Sequence, residues 1–138
     1  MSTTKETSIY SKIKGKYRKA YIPLESDPEI FTSLIHTLGV SPSYEFTDVM
    51  SLDSELLSFI PRPVRALILV FPCSDQFEEV MLAKDEEREV YHGKGEDEPV
   101  VWFAQTIQNA CGLYAILHSV ANGIERSDIS TYSQLFFR

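Results

Sequence analysis

Val101-Trp102-Phe103-Ala104-Gln105-Thr106-Ile107-Gln108-Asn109-Ala110-Cys111-Gly112 decides how this chain is read. An apolar, strand-like run passes through polar turn residues into a helix headed by a thiol. A helix N-terminus gathers unsatisfied N–H groups carrying roughly half a positive charge, and it favours an anion such as a thiolate. Cys111 is therefore the candidate reactive group. Beyond it, Cys111 to about Asn122 is helical and apolar nearly all round, as a central core helix must be. Before it, Val100 to Ala104 reads as a buried strand, preceded by a Gly- and acid-rich loop over His92 to Pro99.

Further out, turn signals divide the chain into short elements. Asp27 is a plausible N-cap with Pro28 at the first helical position. Ile30, Phe31, Leu34, Ile35 and Leu38 recur at helical spacing until Gly39 ends the element. Tyr21-Ile22-Pro23-Leu24 reads as a short edge strand, Tyr44 to Met50 as an extended piece, and Asp53 to Phe59 as one or two helical turns. Val64 to Phe71, after Pro61-Arg62-Pro63, is a continuous apolar run of the kind a sheet covers on both faces. Ser74 or Asp75 caps a helix bearing Phe77, Val80 and Met81. Strands and helices mixed in this way predict an α/β (α+β) fold in one domain.

The 138 residues, 43% hydrophobic and 24% charged, suit a single globular body that needs no metal or cross-link to fold. No apolar run approaches the roughly 20 residues that span a bilayer, and the first twenty lack a secretory core, so a cytoplasmic setting is expected. In that setting Cys73 and Cys111 are expected as free thiols rather than a disulfide. Charge is uneven: residues 1–20 hold six lysines and arginines against Glu6, whereas the whole chain has a net charge of −7. The acidic remainder repels nucleic acid and attracts basic protein surfaces. The basic segment reads first as a flexible solvated tail over 1–20, with a binding arm or a transit peptide as lesser alternatives.

Nucleophilic cysteine chemistry needs a thiolate, a general base and donors for an oxyanion. Gln105, six residues before Cys111 across a turn, has two readings by spacing: a satisfied turn residue, or a donor to an oxyanion beside the Cys111 N–H. No histidine supplies the base. His118 returns to nearly the face of Cys111 but lies about 10 Å further along the axis, so it reads as a packing residue. His36 on the first helix and His92 in its loop read as solvated. Neither the cysteines nor the histidines show paired zinc-ligand spacing, and no cofactor is implied. No resolving cysteine lies close to Cys111, which disfavours a redox sensor.

The segment Gln105 to Gly112, followed by Leu117-His118-Ser119-Val120-Ala121-Asn122, resembles the active-site signature of the ubiquitin C-terminal hydrolases, papain-like cysteine peptidases. Pro23 to Glu29, Leu38 to Pro42, Phe46 to Val49 and Glu55 to Pro63 follow in the family's order, so the likeness covers about residues 21 to 135. The resemblance implies a papain-like fold over 21–138, with Cys111 as nucleophile, Gln105 as oxyanion stabiliser and Asn109 as a possible cap for the helix presenting the thiol. It implies ubiquitin as partner, with the modifier NEDD8 as a further candidate, no nucleic acid or membrane, and a monomer when complete.

In the family the catalytic histidine and its orienting aspartate follow the cysteine by many tens of residues, and neither has a counterpart here. Leu113 replaces the smaller residue usual after Cys-Gly, and Phe136-Phe137-Arg138 is an abrupt apolar finish. The chain is therefore expected to be a C-terminally incomplete catalytic domain, with apolar surface left bare around residues 111–122. Two readings stand: a thiol-dependent deubiquitinating hydrolase, or a catalytically inactive fragment that at most binds ubiquitin.

Overall fold

A computed structural model describes residues 19–89 and 91–130. The basic segment 1–20, apart from Lys19 and Ala20, and the apolar finish at 136–138 therefore lie outside the described residues.

Helix α1, Pro28–Thr37, forms where its cap and apolar stripe predict it. The Asp27 carboxylate accepts from the N–H groups of Glu29 at 2.8 Å and Ile30 at 3.2 Å, satisfying two donors that the helix leaves unpaired. At the other end Leu38 caps the helix and Gly39 turns to φ 90°, a conformation that costs a residue without Cβ little. The Gly39 N–H then reaches the His36 carbonyl at 2.9 Å and the Val40 N–H reaches that of Ile35 at 3.0 Å. This is the paired closure of a Schellman turn, and it drives Val40 into the core.

The short α2, Ser54–Leu57, falls within the expected helical turns. Helix α3, Asp75–Glu86, takes Ser74 as its cap, the hydroxyl accepting from the Phe77 N–H at 3.2 Å. Helix α4, Cys111–Gly123, packs on α1 through Ile116 and Val120, which meet Phe31, Ile35 and Val40 in the fully buried cluster. Each pair, 31/35 and 116/120, repeats at four residues and so lies on one helix face. Burying side chains of this size removes roughly 1.5–3 kcal/mol of unfavourable hydration each. Phe46 closes the cluster edge-to-face on Phe31, with ring centroids 5.4 Å apart.

The two ends of this core are stapled together. Val40 and Ile129 form an antiparallel bridge after a 3₁₀ turn over Arg126–Asp128, with the Ser41 N–H donating to the Asp128 carbonyl and the Ser130 N–H to that of Gly39, both at 2.8 Å. The Tyr44 hydroxyl adds a 2.7 Å bond to the Asp128 carboxylate. A parallel bridge between Ala20 and Gln108 holds the start of the described chain beside the turn before α4.

Several expectations are corrected. Among the described residues helices and the 3₁₀ turn are the regular elements, joined by these two isolated bridges. The runs Val64 to Phe71 and Val100 to Ala104 are extended but unpaired, and both are largely exposed: Leu67 is 76% and Trp102 76% accessible. Only Ile68 of the first run touches the core. Apolar composition sets the local preference for extended backbone, but a strand also needs a neighbour for its N–H and C=O groups, and none lies alongside among the described residues. The same holds for Tyr21 to Leu24, which contributes a bridge end rather than a strand. Helix α4 is largely covered, so the bare apolar surface expected at 111–122 is found instead along 64–71 and 100–102.

Candidate active site

Cys111 is the first residue of α4, and its side chain is exposed. Ala110, itself buried, precedes the helix without a side-chain cap, and among the described residues no side chain bonds the N–H groups of its first turn. The positive end of the helix dipole is thus open toward the sulfur. Asn109 is not the cap. It holds a left-handed φ of 60°, a conformation asparagine tolerates better than most residues, and so it reverses the chain into Ala110. Gly112 is needed for packing: a Cβ there would stand 3.3 Å from the Leu24 Cβ, so the segment after the 20/108 bridge runs close against the helix start.

The turn before the thiol is pinned from three sides. The Gln105 amide donates to the Ile107 carbonyl at 2.9 Å, using one of its two N–H groups. The Tyr21 N–H donates to the Gln108 carbonyl at 2.9 Å, and the Gln108 N–H to that of Lys19 at 3.0 Å. The Tyr114 hydroxyl, 3.2 Å from both the Thr106 N–H and the Thr106 hydroxyl, ties the turn to the first turn of α4. These bonds from Thr106, the side-chain one first, draw Tyr114's titration below that of a free phenol.

All three histidines are engaged away from the thiol or exposed. His36, expected to be solvated, is half-buried and donates from Nε2 to the Tyr44 carbonyl at 2.9 Å. His118 accepts at Nε2 from the Phe103 N–H at 2.8 Å, so its proton is assigned to Nδ1. Its ring stacks against Trp102 at 4.7 Å and Phe103 at 5.5 Å, which fills out the packing role read from its spacing. His92 is exposed in its loop. Cys73 and Cys111 are both free thiols. An apolar groove of about 390 Å³ opens between the 102–107 run and α4, its walls including Trp102, Ile107, Leu113 and Tyr114.

Sequence reasoning gives no role to Tyr114 and names Asn122 only within the family signature, without its partner. Asn122 pairs with Val101 in both directions, accepting from its N–H at 2.8 Å and donating to its carbonyl at 3.0 Å. The available signal was a polar row at four-residue spacing on an otherwise apolar helix.

This arrangement, an exposed thiol on an uncapped helix start behind a pinned turn carrying glutamine, accompanies a match to known sequences. The pattern of ubiquitin carboxyl-terminal hydrolase, family 1, covers residues 21–136. The chain belongs to that family. A ubiquitin carboxyl-terminal hydrolase of Drosophila melanogaster is 46% identical over 106 residues, which are 76% of this chain and 46% of the fly protein. Ubiquitin carboxyl-terminal hydrolase YUH1 of Saccharomyces cerevisiae is 41% identical over 105 residues, 75% of this chain and 41% of the yeast protein. Ubiquitin carboxyl-terminal hydrolase 3 of Arabidopsis thaliana is 35% identical over 123 residues, 86% and 51% of the two chains. The chain thus spans about half the length of the relatives it matches. Among the described residues no helix is long and apolar enough to cross a membrane.

Proposed function

We propose that this chain carries the nucleophile of a thiol-dependent deubiquitinating hydrolase with a papain-like catalytic domain, acting on esters and amides at the C-terminal glycine of ubiquitin. The observation that carries the reading is the exposure of Cys111 at the uncapped, positive end of α4. The sulfur forms a bond to the glycine carbonyl carbon, its proton passing to an imidazole, and the carbonyl electron pair moves onto oxygen. The Cys111 N–H and the Gln105 amide donate to that oxyanion. Collapse expels the amine or alcohol, which takes the proton, and water then releases ubiquitin from sulfur.

His36 and His118 are committed elsewhere and His92 lies in an exposed loop, so on this reading turnover requires an imidazole that these three do not supply. The same observation favours a second reading, in which the chain binds ubiquitin without turnover. Incubation with ubiquitin bearing a C-terminal electrophile separates the two. A covalent adduct that Cys111→Ala abolishes is the expected result, and reversible binding with no adduct would refute the enzymatic reading for this chain. NEDD8 bearing the same electrophile, run in parallel, reports whether the related modifier is accepted.

A further inference from the structure

Tyr114, His118 and Asn122 stand at i, i+4 and i+8 on α4, one stripe of the helix surface. Their polar ends meet the preceding run in reverse order: Tyr114 at Thr106, His118 at Phe103 and Asn122 at Val101. The stripe accepts three backbone N–H groups and, through the Asn122 amide, donates to one carbonyl. It supplies to an extended chain the bonds that a neighbouring strand would otherwise make. Four-residue steps on the helix are matched to steps of three and two on the run, so sliding by one residue would break every bond together.

The gripped run leads directly into the turn that carries Gln105. Most of its bonds are solvent-exposed, where water replaces a lost partner and each is worth only about 0.5–1.5 kcal/mol net. What the stripe governs is therefore placement more than stability. We infer that Tyr114, His118 and Asn122 are positioning residues that fix the Gln105 turn against Cys111 for acyl transfer, an inference resting on the oxyanion role proposed for Gln105. They act through Gln105 and the backbone of residues 101–106, with His118 able to serve only while Nε2 is free to accept.

Two rates at Cys111 test this in the full chain. The first is acylation by ubiquitin carrying a C-terminal thioester of a small alkyl thiol. Here the Cys111 sulfur bonds to the carbonyl carbon and the alkyl thiolate leaves through an oxyanion. The second is alkylation by iodoacetamide, a displacement that forms no oxyanion. Removing one oxyanion donor outright typically costs 10²–10³-fold, and misplacing it here should slow acylation about tenfold. Tyr114→Phe, which keeps the ring, and Asn122→Ala are expected to show that loss with alkylation changed less than about twofold. His118→Ala should behave alike, and His118→Gln, whose amide oxygen can accept from Phe103, should recover most of the rate. Equal loss of both rates would reveal a merely structural role and overturn the inference. So would unchanged acylation in the stripe variants while Gln105→Ala slows it. If Gln105→Ala leaves acylation unchanged, the oxyanion assignment itself falls, and this inference with it.

Discussion

Replacing Gly123 with alanine sets two effects of opposite sign against each other. In a helix, alanine is favoured over glycine by about 1 kcal/mol, so most exposed helical glycines gain stability from the change. At position 123 the added Cβ would lie 2.9 Å from the Arg65 carbonyl oxygen and 3.3 Å from its carbon. These are backbone atoms of the run that places Ile68 on the core, and they cannot rotate away. Relief requires the end of α4 or the backbone at 65 to retreat, and overpacking of this kind costs about 1–3 kcal/mol. Set against the propensity gain, the clash leaves a net loss of up to about 2 kcal/mol. For a body of this size that lowers the thermal midpoint by up to about 8 °C. Gly112→Ala is the comparison: its nearest contact, the Leu24 Cβ at 3.3 Å, is less severe than the 2.9 Å approach to the Arg65 carbonyl oxygen, so it should cost less. Thermal unfolding followed by circular dichroism measures both, and a midpoint for Gly123→Ala at or above that of the unmodified chain would refute the close approach of residue 65.

Two further expectations follow from the surface and from the staple at Asp128. The hydrogen bond to the Asp128 carboxylate, then burial, then the Asp128 charge raise Tyr44's titration above that of a free phenol, with Arg65 opposing. A raised folded value means this contribution is whole below about pH 10 and is lost as pH climbs through Tyr44's own titration. Unfolding midpoints of the unmodified chain should therefore fall more steeply into alkali than those of Tyr44→Phe, and parallel profiles would count against the bond. Separately, Leu67→Lys with Leu69→Lys should raise the saturating protein concentration and change stability by less than about 0.5 kcal/mol, since both side chains face solvent. A loss well beyond that would mean the run is covered.

Local chemistry in the chain forecast local structure well. The cap at Asp27, the stop at Gly39, the cap at Ser74 and the thiol heading α4 are each decided within a few residues of the feature, and each stands where the pattern put it. What escaped prediction depends on partners distant along the chain. The apolar runs at 64–71 and 100–104 carry the composition of strands, yet pairing is a property of two segments, and periodicity describes one. His36 was read as solvated because its own helix face is polar, whereas the Tyr44 carbonyl that engages it arrives from the next segment. Asn109 illustrates a local ambiguity: asparagine serves equally as a cap or as a left-handed turn residue, and the geometry selects the second. Hydrophobic periodicity dominates α4 and hides the partners of Tyr114 and Asn122, although their spacing with His118 is legible.

The bridge between Val40 and Ile129 has a consequence for biosynthesis. Helix α1 emerges from the ribosome early, but the residues that bury its inner face, Ile116 and Val120, and those that lock its end, Asp128 and Ile129, follow about eighty to ninety positions later. At about 5–20 residues per second the nascent chain waits roughly 4–18 s before α1 can dock. For the later part of that interval Ala66-Leu67-Ile68-Leu69-Val70-Phe71, which follows α1 by about thirty positions, is also outside and uncharged, the kind of segment that holding chaperones shield until translation delivers α4.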